Sequence, residues 1–180
     1  LNPDMAPEGV ASAPYLKAKY GLSDDQLAAN AARLVERGAA EGFAFGKRTH
    51  IWGTFDAHRL LHWAGAEAAL LARVEGKTPP VDVHQPSAQH RLKRALIEAY
   101  HRDGRNPNDR AVLLDVVAQA GLDVAQACDV LENNTFANEV RAALYNAQHR
   151  PPLIGFICGL GGREVTLEDV NKTVDICYAA

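Results

Sequence analysis

The chain has 180 residues, of which 47% are hydrophobic and 23% charged, an ordinary composition for a globular domain that buries a core. Its net charge of -3 gives no electrostatic reason to expect nucleic acid or an anionic membrane as partner. No apolar run reaches the roughly 18 residues of a membrane span, and no signal-like segment opens the chain. We therefore expect a cytoplasmic protein.

The first two predicted helices are marked by residues that cap or end a helix. Ser12 and Pro14 open a short helix that Gly21 ends, because proline suits the first helical turn and glycine the helix end. The stretch Ser23–Gln26 has the S-x-x-Q form of a capping box and begins an alanine-rich helix. The apolar residues of this second helix include Leu27, Leu34 and Val35.

Further helices follow in the middle of the chain. Thr54 caps a helix that is predicted to run to about Gly76, where the proline-containing loop GKTPPVDVHQPS follows. Ser87 begins the next helix, and Gly104 ends it. One face of that helix is apolar and consists of Leu92, Ala95, Leu96 and Ala99. Three shorter helices come next, the second with a capping box at Asp123–Gln126, and the short connections predict antiparallel packing.

The pattern changes at Pro151. The run LIGFIC has the composition of a buried strand, GLGG is a turn, and REVT is a short return strand before a final helix. A helical array followed by a hairpin and a helix predicts an α/β protein, or α+β for the chain as it stands. Because a stable sheet usually needs roughly three strands, the remaining strands are expected before Leu1.

Three cysteines stand far apart, at Cys128, Cys158 and Cys177, and no C-x-x-C motif occurs. An odd and scattered set argues against a disulfide framework and against a zinc site. Cys128 is in helical phase with Val124 and Leu131, so we expect a reduced thiol that packs as a small core residue.

Two histidines four residues apart, His58 and His62, lie in the stretch TFDAHRLLHWAG. The predicted buried stripe of this helix consists of Ala57, Leu61, Ala64, Ala68 and Leu71, with Leu60 on its flank. His58 would lie at the edge of the stripe and His62 nearer to solvent. A zinc protease places a glutamate after its first histidine to activate water, whereas Arg59 stands here, so no metal is expected.

Two roles remain open for His58. It can pack at the margin of the helix and form a hydrogen bond to a neighbouring element, in which case His58→Ala lowers stability by about 1–2 kcal/mol. Alternatively, it faces a substrate together with Asp56 and Arg59.

Three stretches carry a resemblance to a known family: LNPDMAPEGV, TFDAHRLLHWAG and EAYHRDGRNPNDRAVLLDVVAQAGLD. The second is the most specific, since it is similar to the family pattern T-x-D-A-H-R-L-x-x-x-A. Together they resemble the DsbA-like thioredoxin family, in particular its FrnE-like branch. In that fold a helical insertion splits a thioredoxin domain.

The resemblance implies a division of the chain into three parts. Residues 1–12 would end an N-terminal thioredoxin segment, residues 13–150 would form the helical insertion, and residues 151–180 would be the C-terminal hairpin and helix. Pro152 stands where the family has a cis proline, so a cis bond before it and a strand from about Leu153 to Cys158 are expected. In this arrangement Pro152 shapes the substrate groove, and Asp56, His58 and Arg59 face the redox site.

The implied activity is thiol–disulfide exchange on an extended peptide or protein substrate, without a cofactor. The redox C-x-x-C of the family would precede Leu1, so this chain is expected to be part of an oxidoreductase and to be inactive alone. A glutathione-dependent relative of the kappa-class transferases or hydroxychromene-carboxylate isomerases is one alternative, and a non-catalytic helical binding module is another. A homodimer is compatible with each of them.

Overall fold

A computed structural model describes residues 5–74 and 86–149 of the chain. The elements in chain order are β1 Val10–Ala11, α1 Ser12–Tyr20, α2 Asp24–Ala40, β2 His50–Ile51, α3 Phe55–Val74, α4 Ala88–Ile97, a π-helical turn Glu98–Arg102, α5 Arg110–Gln119, α6 Val124–Glu132 and α7 Ala137–His149. The chain divides into two units, Leu1–Val140 and Arg141–Ala180, and the packing below is that of the first. The prediction of a mostly helical chain is confirmed.

The predicted caps form as the local sequence indicates. The Ser23 side chain accepts a hydrogen bond from the Gln26 backbone N–H at 3.2 Å, and the Gln26 side chain accepts one from the Ser23 N–H at 2.9 Å. These two bonds satisfy donors that the first helical turn leaves free. The Ser87 side chain accepts from the His90 N–H, and the Asp123 carboxylate accepts from the Ala125 and Gln126 N–H groups. At Asp123 the Gln126 side chain bonds the carboxylate instead of the Asp123 N–H, so the predicted capping box forms only in part. Gly21 ends α1 with a φ of 64°.

The end of α4 differs from the prediction of a regular helix up to Gly104. The chain passes instead through a π-helical turn, in which the Asp103 N–H donates to the Glu98 carbonyl at 3.1 Å. A π turn accommodates one more residue than an α turn, and single π turns often occur at functional sites. Its residues include Tyr100 and His101.

A two-residue antiparallel ladder joins β1 to β2, with Val10 opposite Ile51 and Ala11 opposite His50. So short a pair has no alternating hydrophobic pattern, and the sequence did not predict it. Gly9 precedes the ladder with a φ of 72°, and a Cβ atom there would lie 2.4 Å from the Trp52 ring. Only glycine suits this approach. The strand and hairpin expected after Pro151 lie outside the described residues, as does the expected cis bond at Pro152.

The hydrophobic core lies between α3, α4, α5 and α6. Its largest fully buried apolar side chains are Leu60, Leu92, Leu113, Val116 and Val117. The predicted stripe of α3 was wrong in its centre, because Leu60 is fully buried whereas Leu61 is only partly buried. Because α3 packs against both α4 and α6, its buried face contains Arg59, Leu60 and Trp63.

Arg59 is the buried charge of this core, with an exposed fraction of 1%. Its Nε donates to the Thr135 carbonyl at 2.9 Å, Nη1 bonds the Asp56 carboxylate at 2.7 Å, and Nη2 donates to the Val130 carbonyl. The Val130 carbonyl is in the last turn of α6, where intrahelical partners are missing and the helix dipole favours a cation. Arg59 therefore caps α6 from the neighbouring helix.

The turn that Arg59 contacts is conformationally strained. Asn134 and Phe136 have φ values of 52° and 63°, in the left-handed region that residues with a side chain adopt rarely. Thr135 lies between them, and its carbonyl accepts the bond from Arg59. The buried guanidinium thus helps to hold a turn that is unfavourable by itself.

His62 lies toward solvent as predicted, whereas His58 does not pack at the margin of the helix. His58 is exposed, and its Nδ1 lies 2.7 Å from the Thr54 carbonyl of the same helical turn, so the expected bond to a neighbouring element is absent there. The His62 ring, although exposed, contacts the Phe136 ring of the α6–α7 turn at 4.9 Å. The rotation of α3 toward Arg59 explains both results.

Contrary to the prediction, Cys128 is not a core residue. The thiol is free and half-buried, and its Sγ lies 2.8 Å from Arg110 Nη2 and 3.5 Å from a Glu132 carboxylate oxygen. Ala127 and Val130 form the buried face of α6 instead, and Val124 is exposed. Cys128 forms no disulfide within the described residues, and Cys158 and Cys177 lie outside them. Within the described ranges, no helix combines the length and apolar character needed to cross a membrane.

Replacing Arg59 with methionine should lower the free energy of unfolding by about 3 kcal/mol, because a carboxylate and two carbonyls would lose a buried charged partner. The matched control is His58→Ala, one residue earlier on α3, which should change stability by about 0.5 kcal/mol or less because the side chain is exposed. Urea unfolding followed by circular dichroism measures both. Equal losses for the two variants would contradict the assignment of Arg59 as the structural residue.

Candidate functional site

An open groove with a volume of about 480 Å³ lies between α1, α2 and the segment 45–48. Its apolar lining consists of Ala13, Leu16, Leu27, Ala28, Ala31, Leu34, Val35 and Phe45. Its polar lining consists of Ser12, Asp24, Asn30, Lys47, Arg48 and His101. A mostly apolar concave surface with a few polar groups is the usual form of a ligand site. We call it the α1–α2 groove.

The helical repeat of α2 places the apolar wall of the groove. Leu27, Ala31, Leu34 and Val35 follow the spacing i, i+4, i+7 and i+8, which aligns them on one helix face. A stripe of this kind is normally buried against another element. Here Leu34 is 51% exposed and Val35 is 49% exposed. The capped helix therefore presents an apolar face that remains accessible.

The segment 45–48 forms the opposite wall and is held at both ends. The Gly46 N–H donates to the His101 carbonyl at 2.9 Å, and a Cβ atom on Gly46 would lie 1.9 Å from the Arg102 carbonyl oxygen. The Ser12 hydroxyl lies 3.0 Å from the Arg48 carbonyl and 3.1 Å from the Thr49 carbonyl, to which it can donate. Glycine is required at this close contact between two backbones.

A cluster of aromatic rings, which we call the aromatic cluster, connects this wall to the π-helical turn. Its members are Phe43, Phe45, His50, Trp52, Tyr100 and His101. Tyr100 and His101, adjacent in the π turn, have ring centroids 4.7 Å apart. Tyr100 also contacts Trp52 at 5.9 Å and donates from its hydroxyl to the His50 carbonyl at 3.2 Å. The π turn thereby connects β2 to the groove, which His101 lines.

Positive charge lies next to these rings. The Arg48 guanidinium is 5.5 Å from the centre of the Tyr100 ring, a cation–π distance. Burial raises the pKa of Tyr100, and the Arg48 charge opposes that rise. Burial lowers the pKa of His101, and the Arg48 charge lowers it further. His101 is therefore mostly neutral at pH 7, where it can both donate and accept a hydrogen bond.

The structure does not bring the predicted site residues together as one ligand site. Asp56 and Arg59 bond each other at 2.7 Å and belong to the cap of α6, with Arg59 inaccessible to a ligand. His58 is exposed on the same helix, and Pro152 lies outside the described residues. None of Asp56, His58 and Arg59 lines the α1–α2 groove.

Sequence reasoning did not find the groove residues Arg48 and His101. Arg48 stands in a stretch without periodicity, and His101 is adjacent to Tyr100 in a helix that was expected to be regular. The clustering of rings depends on contacts across about fifty residues, such as Tyr100 with His50. No local motif indicates such a contact.

The comparisons with known proteins agree on one family. The model of the DSBA-like thioredoxin domain matches residues 82–151. A probable DsbA oxidoreductase from Streptomyces coelicolor is similar in structure, with a TM-score of 0.62 and 31% sequence identity over 83% of this chain. The alignment spans 58% of the length of the Streptomyces protein. Among curated proteins, none matches significantly.

The imidazole of His101 should titrate below its ordinary pKa of 6.5, mainly because burial disfavours the imidazolium. The folded chain then binds this proton more weakly than the unfolded chain. Its contribution to stability is therefore present above the unfolded pKa and lost as the pH falls through the folded pKa. NMR titration of the imidazole carbon resonances measures the value.

Arg48→Ala should raise the pKa of His101, but not to its ordinary value of 6.5. Burial, the larger cause of the lowered pKa, remains in this variant. Lys93→Ala, which removes an exposed cation of α4 outside the groove, serves as the control and should leave the pKa unchanged. A pKa above 6.5 in the unaltered chain would show that the imidazole is not buried as described.

Proposed function

Because the chain is DsbA-like in sequence and in structure, we propose that it is part of a thiol–disulfide oxidoreductase of the FrnE-like branch. The observation that carries this proposal is the similarity to a probable DsbA oxidoreductase over 83% of the chain. The described helices and the TFDAHRLLHWAG stretch support the assignment to the FrnE-like branch.

The proposed contribution of this chain is structural support and substrate contact, without the redox step itself. Thiol–disulfide exchange needs a reactive thiolate and a second thiol within reach. The three cysteines of this chain do not form a C-x-x-C motif. Cys128, the described thiol, contacts Arg110 and Glu132. We propose on this basis that the chain alone is inactive.

The proposed substrate is a protein thiol or disulfide bound in an extended form, with glutathione as the smaller alternative. On α3, His58 is exposed and Asp56 retains 39% side-chain exposure, so these two side chains can contact a substrate. The buried Arg59 would act as a positioning residue for Asp56, at 2.7 Å. Pro152 keeps its proposed place beside the substrate. We also propose a reducing, cytoplasmic compartment, because three cysteines as scattered as Cys128, Cys158 and Cys177 do not indicate a disulfide framework.

We expect that the purified chain does not accelerate the reduction of insulin by dithiothreitol, because it lacks a pair of exchangeable thiols. The turbidity of reduced insulin measures the rate, with a C-x-x-C thioredoxin as positive control. The proposal of inactivity fails if the rate rises above the dithiothreitol background and Cys128→Ser abolishes the increase.

A fusion tests the oxidoreductase assignment directly. The part of the Streptomyces protein that precedes its similarity to this chain is joined before Leu1, provided that this part carries a C-x-x-C motif. If the chain supports redox chemistry, the fusion should reduce insulin, and the same fusion with both motif cysteines changed to serine should not. A fusion that shows the helical content of the chain by circular dichroism yet has no cysteine-dependent activity would argue against the assignment.

A further inference from the structure

The α1–α2 groove has an apolar wall on α2 and positive charge on the opposite wall. Leu34 and Val35, both half exposed, lie on the apolar wall, and Lys47 and Arg48 lie on the wall formed by the segment 45–48. Within residues 5–74 and 86–149, no carboxylate forms an ion pair with either cation. Asp24, the acidic group of the lining, is bound by Lys17 at 2.8 Å. The cations of the groove are thus available to an anion.

Part of the backbone beside the groove is already hydrogen-bonded. Gly46 donates to His101, Ser12 N–H donates to the Thr49 carbonyl at 2.9 Å, and the carbonyl of Arg48 lies within bonding distance of the Ser12 hydroxyl. An extended peptide gains affinity by pairing its own backbone with a free strand edge. An aliphatic chain needs no backbone partner, and the mostly apolar lining of the groove favours it.

Arg48 is oriented for a ligand by the aromatic cluster. Its guanidinium lies near the Tyr100 ring and forms a side-chain hydrogen bond with Tyr100, which restrains it while other N–H groups of the fork can meet a ligand. A guanidinium binds a carboxylate through two parallel hydrogen bonds, and Lys47 adds a second cation beside it. A volume of about 480 Å³ is in the range of small-molecule sites.

We infer that the α1–α2 groove binds a long-chain monocarboxylate, with the aliphatic chain against the apolar face of α2 and the carboxylate at Lys47 and Arg48. This binding is separate from the proposed oxidoreductase function and requires no cysteine. The negative charge of the ligand pairs with Lys47 and Arg48, and its aliphatic chain covers Leu34 and Val35.

Isothermal titration with decanoate, below its micelle concentration, tests the inference on the full chain. Decanoate should bind one molecule per chain, and about tenfold more tightly than decanol or decyltrimethylammonium, since each loses the charge-assisted bonds. These ligands share one chain length and differ in the head group, so the comparison isolates the contribution of charge.

Three variants locate the binding site. Lys47→Gln and Arg48→Gln should each weaken decanoate about fivefold to tenfold while leaving decanol unchanged, because they remove charge and keep the stem. Leu34→Glu should abolish binding of both, and it should fold because the side chain is half exposed. Lys93→Gln, an exposed cation outside the groove, is the control and should bind decanoate like the unaltered chain.

Several outcomes would overturn the inference. One is the absence of decanoate binding, and another is equal affinity for decanoate and decanol. A third is retention of decanoate affinity in both charge variants. Analytical ultracentrifugation gives a further test: a dimer that Leu34→Glu dissociates, with no ligand present, would mean that a second copy of the chain occupies the groove.

Discussion

A buried charge holds the helical core in its observed arrangement. The Arg59 guanidinium is almost fully removed from water, which is tolerated only where acceptors surround it. Asp56 supplies the countercharge from the preceding turn, and the carbonyls of Val130 and Thr135 accept its other hydrogen bonds. Because these carbonyls lie at the end of α6 and in the following turn, one side chain determines how α3 meets α6. The orientation of Leu60 and His58 follows from that contact.

Side-chain donors also bond backbone carbonyls between other helices, at the end of α5 and within α3. On α4, Arg91 donates from Nε to the carbonyl of Ala120 at the end of α5, at 3.0 Å. Gln89 donates to the Leu61 carbonyl of α3 at 2.9 Å, close to Gly65, where a Cβ atom would lie 2.7 Å from the Gln89 side chain. Helix ends carry carbonyls without intrahelical partners, and cationic side chains satisfy them well. These contacts fix the relative positions of neighbouring helices in addition to their apolar packing.

The part of the chain that contains α1, α2 and the β1–β2 ladder is held in another way. Ser12 binds the backbone of the segment before β2, and the aromatic cluster connects that segment to the π-helical turn. Within the described part of the chain, these contacts leave the apolar face of α2 accessible. The groove therefore exists because the segment 45–48, its wall opposite α2, is anchored to the π turn and the ladder and leaves Leu34 uncovered. This helical region thus contains an accessible, mostly apolar surface whose lining includes no cysteine.

Local sequence was sufficient for the starts of α2, α4 and α6, since the caps at Ser23, Ser87 and Asp123 are interactions within three residues. The resemblance carried by TFDAHRLLHWAG predicted similarity to the DsbA-like family, and the family model and the Streptomyces structure show that similarity. Tertiary structure alone decided the rotation of α3, the pairing of β1 with β2, and the meeting of Tyr100 with His50. These depend on contacts between residues some forty to seventy-six positions apart, where buried charge and backbone hydrogen bonding outweigh the local hydrophobic pattern.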